Sequence, residues 1–154
     1  MTVAEHRART TRRGPVAVVV AALAATIFLA GCLTADQQQD FDLINAARKA
    51  NRKTALTSHA AATTKAQKWS ERMARTGVLE HTGGGSKLDT SGVTGWCTYG
   101  ENVGKGPSVQ AIHDAFMRSS THKANILGGY TAVGTGVYKS GSTYWVTEVF
   151  LRTC

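Results

Sequence analysis

The chain predicts an α+β domain, with helices on both sides of a small antiparallel sheet in an α-β-α sandwich. Three observations carry that expectation. Apolar residues recur at helical spacing in three segments between Phe41 and Ser119. The chain then changes character, and "AVGTGVYK" and "TYWVTEVFL" are rich in β-branched and aromatic residues with "SGS" between them, the pattern of a β-hairpin. In the second of these strands Tyr144, Val146, Glu148 and Phe150 share one face, and Trp145, Thr147, Val149 and Leu151 share the other. Apolar residues on both faces call for cover on both sides.

In chain order, residues 1–31 read as an export signal rather than as fold. Arg7, Arg9, Arg12 and Arg13 make a basic start, and Val16 to Ala30 is an uncharged apolar stretch, short for a membrane span of about 20 residues. The stretch ends in Leu29-Ala30-Gly31-Cys32, which resembles the lipobox of bacterial lipoproteins. That likeness implies cleavage before Cys32, a lipid on its sulfur, and a location outside the cytoplasm on the cell membrane or envelope. The alternatives are a retained transmembrane anchor, or an ordinary signal with a coincidental cysteine. Residues 32–40 include the Gln-rich "TADQQQD", expected as a tether or as the frayed start of the first helix. Residues 41–154 are expected to form the one domain.

Within it, Phe41, Ile44, Ala47 and Arg48 lie at helical spacing, and Leu56 is expected to pack inward. Ser58 is placed as N-cap of the longest helix, whose stripe is Ala62, Ala66, Trp69 and Met73, with Trp69 as core and Gly77 as C-cap. "HTGGGSKLDTSG" reads as loop. Pro107-Ser108 opens a third helix with Val109, Ile112, Ala115 and Phe116 on one side, and "HKANIL" adds a turn closed by Gly128-Gly129. His59 and His113 are placed on the surface.

The net charge of +8 falls to a moderately basic value once the arginines of the signal are set aside, which suits an anionic membrane surface or cell wall. No dense Lys/Arg run or nucleic-acid motif is present, so nucleic acid is not expected as a partner. With Cys32 assigned to lipid, Cys97 and Cys154 remain, and two cysteines in an exported domain are expected to pair.

Three segments carry groups capable of chemistry: "LEHT" with His81, "GENV" with Glu101, and "SSTHKANIL" with His122. Together with "VGTGVY" and "YWVTEVF" they resemble the CAP superfamily (the SCP domain of cysteine-rich secretory proteins, allergens and plant pathogenesis-related proteins), in its compact bacterial branch. The resemblance implies an α-β-α sandwich with a cleft lined by His81, Glu101 and His122. It puts Ser119 where many members carry a second acidic residue, so a mechanism needing two carboxylates is in doubt. It permits a divalent metal such as zinc on His81 and His122, while spacings of this length are not those of a local metal motif. The structural alternative is that Glu101 and Asn102 bond backbone in an irregular loop, that Thr121 caps a turn containing His122, and that Asn125 bonds backbone. Trp96 and Tyr99 either flank the cleft or pack around Cys97.

The function expected on these grounds is an exported, lipid-anchored, monomeric binding module for a lipid or cell-envelope ligand, held to the membrane through Cys32. Its apolar ligand surface is expected near Phe41, Val109 or Phe116. A hydrolase is the second reading, with His81, Glu101 and His122 as catalytic candidates and Ser119, Ser120 or Thr121 as nucleophile. No nucleophile elbow supports it, so an enzyme is the less expected class. A non-catalytic structural or adhesion protein of the envelope is the third.

Overall fold

In the computed structural model, residues 32–154 are described, and the expected signal segment lies outside them. The first helix, α1 (Ala35–Ala50), begins earlier than its apolar spacing announces. Thr34 caps it, with Gln37 N–H donating to Thr34 Oγ1 and Thr34 N–H donating to Gln37 Oε1 at 2.8 Å. This reciprocal capping box makes most of the polar segment the start of the first helix, the second of the two readings given to it, rather than a tether. Gln37 and Asp40 within it are buried.

A two-residue strand β1 (Thr57–Ser58) precedes α2 (Ala60–Thr76). The cap of α2 is therefore His59, whose Nδ1 accepts from Ala62 N–H, and not Ser58, which is spent on the sheet. Gly77 closes α2 in the left-handed conformation at φ 73°, as expected of a C-cap glycine. After the glycine-rich loop come β2 (Trp96–Gly106), α3 (Val109–Arg118), α4 (Ser120–Ile126), β3 (Ala132–Ser140) and β4 (Thr143–Thr153).

The sheet order is β1-β3-β4-β2. The expected hairpin is β3–β4, closed by Gly141-Ser142 with Gly141 at φ 58°. The sheet is mixed rather than wholly antiparallel, because β1 runs parallel to β3. The larger departure is β2. "GENV" lies in the middle of an 11-residue edge strand, where an irregular loop was one alternative. Its glycines obscure the strand pattern, yet each answers a close approach. A Cβ at Gly104 would meet the Phe116 ring at 2.7 Å, and one at Gly106 would meet Ile112 at 3.0 Å.

Both faces are covered. On one, Ile44, Val109, Ile112, Phe116 and Ile126 from α1, α3 and α4 pack on Val137, Val146 and Phe150. On the other, Ala62 and Ala66 of α2 lie against Ala132, Val149 and Leu151. The α2 layer is tight: a Cβ at Gly134 or Gly136 would run into the helix backbone at Ala62 and Ala66. Ser70, fully buried on the same helix, donates at 2.9 Å to Gly136 O. His113, expected at the surface, is buried on α3, and burial lowers its pKa. Cys97 and Cys154 are joined as expected, tying the start of β2 to the end of β4 with Cα atoms 5.4 Å apart. A cross-link closing 57 residues stabilises by about 4 kcal/mol in the chain-entropy account.

Two carboxylic acids are sealed between α1 and the sheet. Asp40 is 1% exposed and Glu148 is fully buried. Glu148 Oε2 accepts from Asn102 Nδ2 at 2.8 Å, while Asp40 Oδ2 and Glu148 Oε1 have no other partner among the described residues. Both pKa values rise, first through burial: Asp40 to about 7, and Glu148 well above its ordinary value, pushed further by the Asp40 charge. Burial therefore favours keeping a proton on the pair. A carboxyl whose folded pKa is raised stabilises the fold at pH below the unfolded value, near 4, and that contribution is lost as pH rises through about 7. For Asp40 the loss amounts to roughly 4 kcal/mol. The domain is expected to melt higher at pH 5 than at pH 8, and Asp40→Asn to flatten that difference and melt above the parent at pH 8. Calorimetry of both proteins across this range checks it, and an unchanged slope in the variant would remove the shared proton.

Candidate functional site

The edge position of β2 decides how the site is assembled. Glu101 pairs across the sheet with Val149 and so faces the α2 layer, whereas Asn102 pairs with Glu148 and faces the layer of α1, α3 and α4. One side chain thus meets the loop after α2, and the next meets α4. The two layers close around the outer edge of β2.

On the α2 side, His81 Nδ1 lies 2.9 Å from Glu101 Oε1. The same oxygen accepts the Thr82 backbone N–H at 3.0 Å, so the hydrogen shared with His81 resides on Nδ1. The Glu101 side chain is wholly buried, and its Oε2 has no partner among the described residues. The loop that presents His81 is held by Trp69, whose Nε1 donates to Glu80 O at 2.8 Å. Trp69 is only partly buried, so it is the edge of the core and not its centre.

On the α4 side, Ser119 caps the helix, in place of Thr121. Its Oγ lies 2.9 Å from His122 Nδ1. The His122 ring stacks on Phe116, tilted by 35° with centroids 4.8 Å apart. Its pKa is lowered, chiefly by burial and secondly by His81, whose nearness makes a second positive charge unfavourable. Asn102 and Asn125 fix α4 to the strand. Asn102 Nδ2 donates to His122 O at 3.1 Å, and Asn125 Nδ2 donates to Glu101 O at 3.1 Å and to Asn102 Oδ1 at 2.8 Å. Asn125 thus bonds backbone, as the sequence led one to expect. Arg48, 2% exposed, anchors the far end of α4 by donating from Nη1 to Ile126 O and Gly128 O at 2.8 and 2.9 Å.

The structure therefore brings His81 and Glu101 into direct contact and holds His122 against Ser119, the link between the two rings being electrostatic. Ser119 touches His122 alone. Thr82 and Glu148 escaped the sequence reading. Only one signal pointed to the second, a lone acid between Val146 and Phe150 on an otherwise apolar strand face. Trp96 and Tyr99 pack on each other edge to face at 5.5 Å and against the α2 layer, so they build core near Cys97.

The donor set does not match a closed metal centre. Each imidazole has its Nδ1 engaged and keeps Nε2, and Glu101, with Oε1 bonded twice, keeps only its buried Oε2. Among the described residues no group of three or more His, Cys, Asp or Glu is placed to hold a metal. Structural and catalytic zinc take four and three protein ligands respectively. Of the three positions expected to border an apolar ligand surface, Phe41 is half-buried against the core. Val109 and Phe116 are buried in the core, and Val78 and Leu79, which precede His81 in the chain, are exposed.

A family model described as CAP, the cysteine-rich secretory protein family, matches residues 41–150. Among solved structures, the chain is similar to an extracellular protein from Bacillus anthracis containing an SCP domain, at 25% identity and TM-score 0.67 over 80% of this chain and 45% of that one. It also resembles an outer surface protein of Borrelia burgdorferi at 14% identity and TM-score 0.65, over 77% of this chain and 93% of that one. A cysteine-rich secretory protein from Staphylococcus aureus aligns at 19% identity and TM-score 0.57, over 77% and 39% of the respective chains. The chain thus spans less than half of the Bacillus protein. No curated protein matches the sequence.

The nearness of the two imidazoles is open to direct test. By NMR, the His122 ring is expected to titrate below an ordinary histidine, and to move upward in His81→Ala. A His122 titration indifferent to that change would place the rings apart.

Proposed function

Because the chain belongs to the cysteine-rich secretory protein (CAP) family, we propose that it is an exported domain, tethered through Cys32, that binds an amphipathic lipid or other envelope ligand at the His81–Glu101–His122 cleft. One observation carries the reading: both rings have Nδ1 held, by Glu101 and by Ser119, each at 2.9 Å. Two oriented Nε2 edges are thereby presented to a polar group, and exposed Val78 and Leu79, which precede His81 in the chain, offer surface to an apolar one. Preformed polar groups beside apolar surface suit ligand capture, because little side-chain freedom is lost on binding. Cys32 is exposed, which supports the tether. The similarity to extracellular and outer-surface proteins supports export.

The hydrolase reading has one observation in its favour, the Ser119 Oγ–His122 Nδ1 contact. Its weakness is that Glu101 orients His81 and not His122, so the serine, the base and the acid do not form one chain of hydrogen bonds. Ser119 Oγ also serves as the helix cap. A divalent cation would find two imidazole nitrogens and would need its remaining ligands from solvent or from the bound molecule.

Titration with the zwitterionic lipid lysophosphatidylcholine, below its micelle concentration, is expected to shift the amides of Val78, Leu79, His81 and His122 saturably. His81→Ala/His122→Ala should weaken binding by about tenfold, or 1.4 kcal/mol. Shifts confined to other surfaces would count against the cleft. Peptide or envelope hydrolysis lost in His122→Ala, with the melting point intact, would favour the enzyme. A melting point raised by micromolar zinc would require a metal centre tighter than two imidazoles provide.

A further inference from the structure

Helix α2 turns a second face outward, over a groove that takes in none of His81, Glu101 and His122, although Thr82 and Trp69, which line it, also support the His81 loop. Lys65, Lys68, Arg72 and Arg75 recur at spacings of three and four residues and so line one side of the helix, alongside a groove of about 470 Å³ closed by Thr82, Ser91 and Gly92 of the following loop. We propose that this groove is a binding site for a linear polyanion bearing repeated phosphate groups, distinct from the imidazole cleft.

The four cations are not equivalent. Lys65 Nζ is fixed by Asp89 Oδ2 and Ser91 O, both at 2.9 Å. Arg72 pairs with Glu80 at 3.2 Å and lies 4.7 Å above the Trp69 ring. Lys68 and Arg75 are exposed and make no ion pair among the described residues. Asp89 and Glu80 thus each hold one cation, and Lys68 and Arg75 are left without an ion pair, one on each side of the Trp69–Arg72 stack; Glu71, one turn before Arg75, accepts from Gln67 instead. A surface-paired lysine contributes little to folding, and like charges spaced along one helix face repel. A ligand that supplies negative charge at intervals relieves this repulsion. Lys, Arg and the hydroxyl of Thr64 all donate hydrogen bonds, which suits the acceptor oxygens of phosphate, while the Ser91 hydroxyl is engaged with Asp89. Trp69 between the unpaired cations offers apolar surface to the carbon linkers that separate phosphates in a polymer. The concave shape favours a chain laid along the helix over a flat bilayer.

The test uses a soluble glycerol-phosphate oligomer as titrant, with vesicles of phosphatidylglycerol as the lipid alternative. The parent is expected to bind the oligomer and to lose that binding as salt rises. Lys68→Glu/Arg75→Glu should weaken it by at least about tenfold. Lys68→Gln/Arg75→Gln should give an intermediate loss, and both variants should keep the parental melting point. His81→Ala/His122→Ala should bind the oligomer like the parent, so failure of the cleft reading and failure of this one are separable. An undiminished affinity in the Lys68/Arg75 variants would overturn the proposal. So would an equal loss in Lys49→Glu/Arg52→Glu, whose cations lie at the end of α1, because net charge alone would then explain binding. Binding to vesicles but not to the oligomer, or to neither, would likewise overturn it.

Discussion

The side-chain amide of Asn102 is the contact through which the site and the fold depend on each other. It sits on an edge strand, and its Nδ2 donates both to the carbonyl of His122 and to Glu148. Its Oδ1 takes a hydrogen from Asn125, which in turn satisfies the outward carbonyl of Glu101. An edge strand normally leaves such carbonyls open to pairing with another chain. Here a short helix covers them, and the covering is what delivers His122. Remove the amide and three elements lose a shared buried partner, with Glu148, the carbonyl of His122 and the side-chain amide of Asn125 left to find others.

Burial of charge is the second theme. Arg48 enters the interior with no carboxylate partner and is held by carbonyl oxygens at the end of α4 and by Thr54 O. A guanidinium suits this role because its donors fan out in a plane, and because it stays protonated where burial would neutralise an amine. The acids Asp40 and Glu148 behave in the opposite manner, meeting burial by keeping a proton between them. The layer of α1, α3 and α4 therefore carries buried charged groups that specify where its helices sit, whereas the α2 layer combines steric fit with the neutral contacts of Ser70 and Gln67.

Much of the fold was legible because it rests on periodicity. The β3–β4 hairpin, the stripes of α2 and α3, and the cysteine pair followed from spacing and compartment. β2 was hidden because its glycines exist to admit Phe116, Ile112 and Tyr130, which are distant in sequence. The start of α1 was hidden because its cap is polar and its first turns bury Gln37 and Asp40 rather than apolar residues. At the candidate site, motif resemblance pointed to His81, Glu101 and His122, and the hydrogen-bond partner of each ring was knowable only once the strand was placed. Ser119 was singled out as a departure from an acidic position, and it proves to hold the ring of His122 in that acid's absence.

The close approach of α2 to Gly134 and Gly136 has a mechanical consequence. With helix backbone resting directly on strand backbone, any sliding of α2 along β3 would bring a side chain against one of the two bare Cα positions. The helix behaves as a key in a keyway, free neither to ratchet nor to tilt. The loop bearing His81 springs from the end of that key, so it pivots from a stationary post, and whatever adjusts to an incoming molecule is the loop itself.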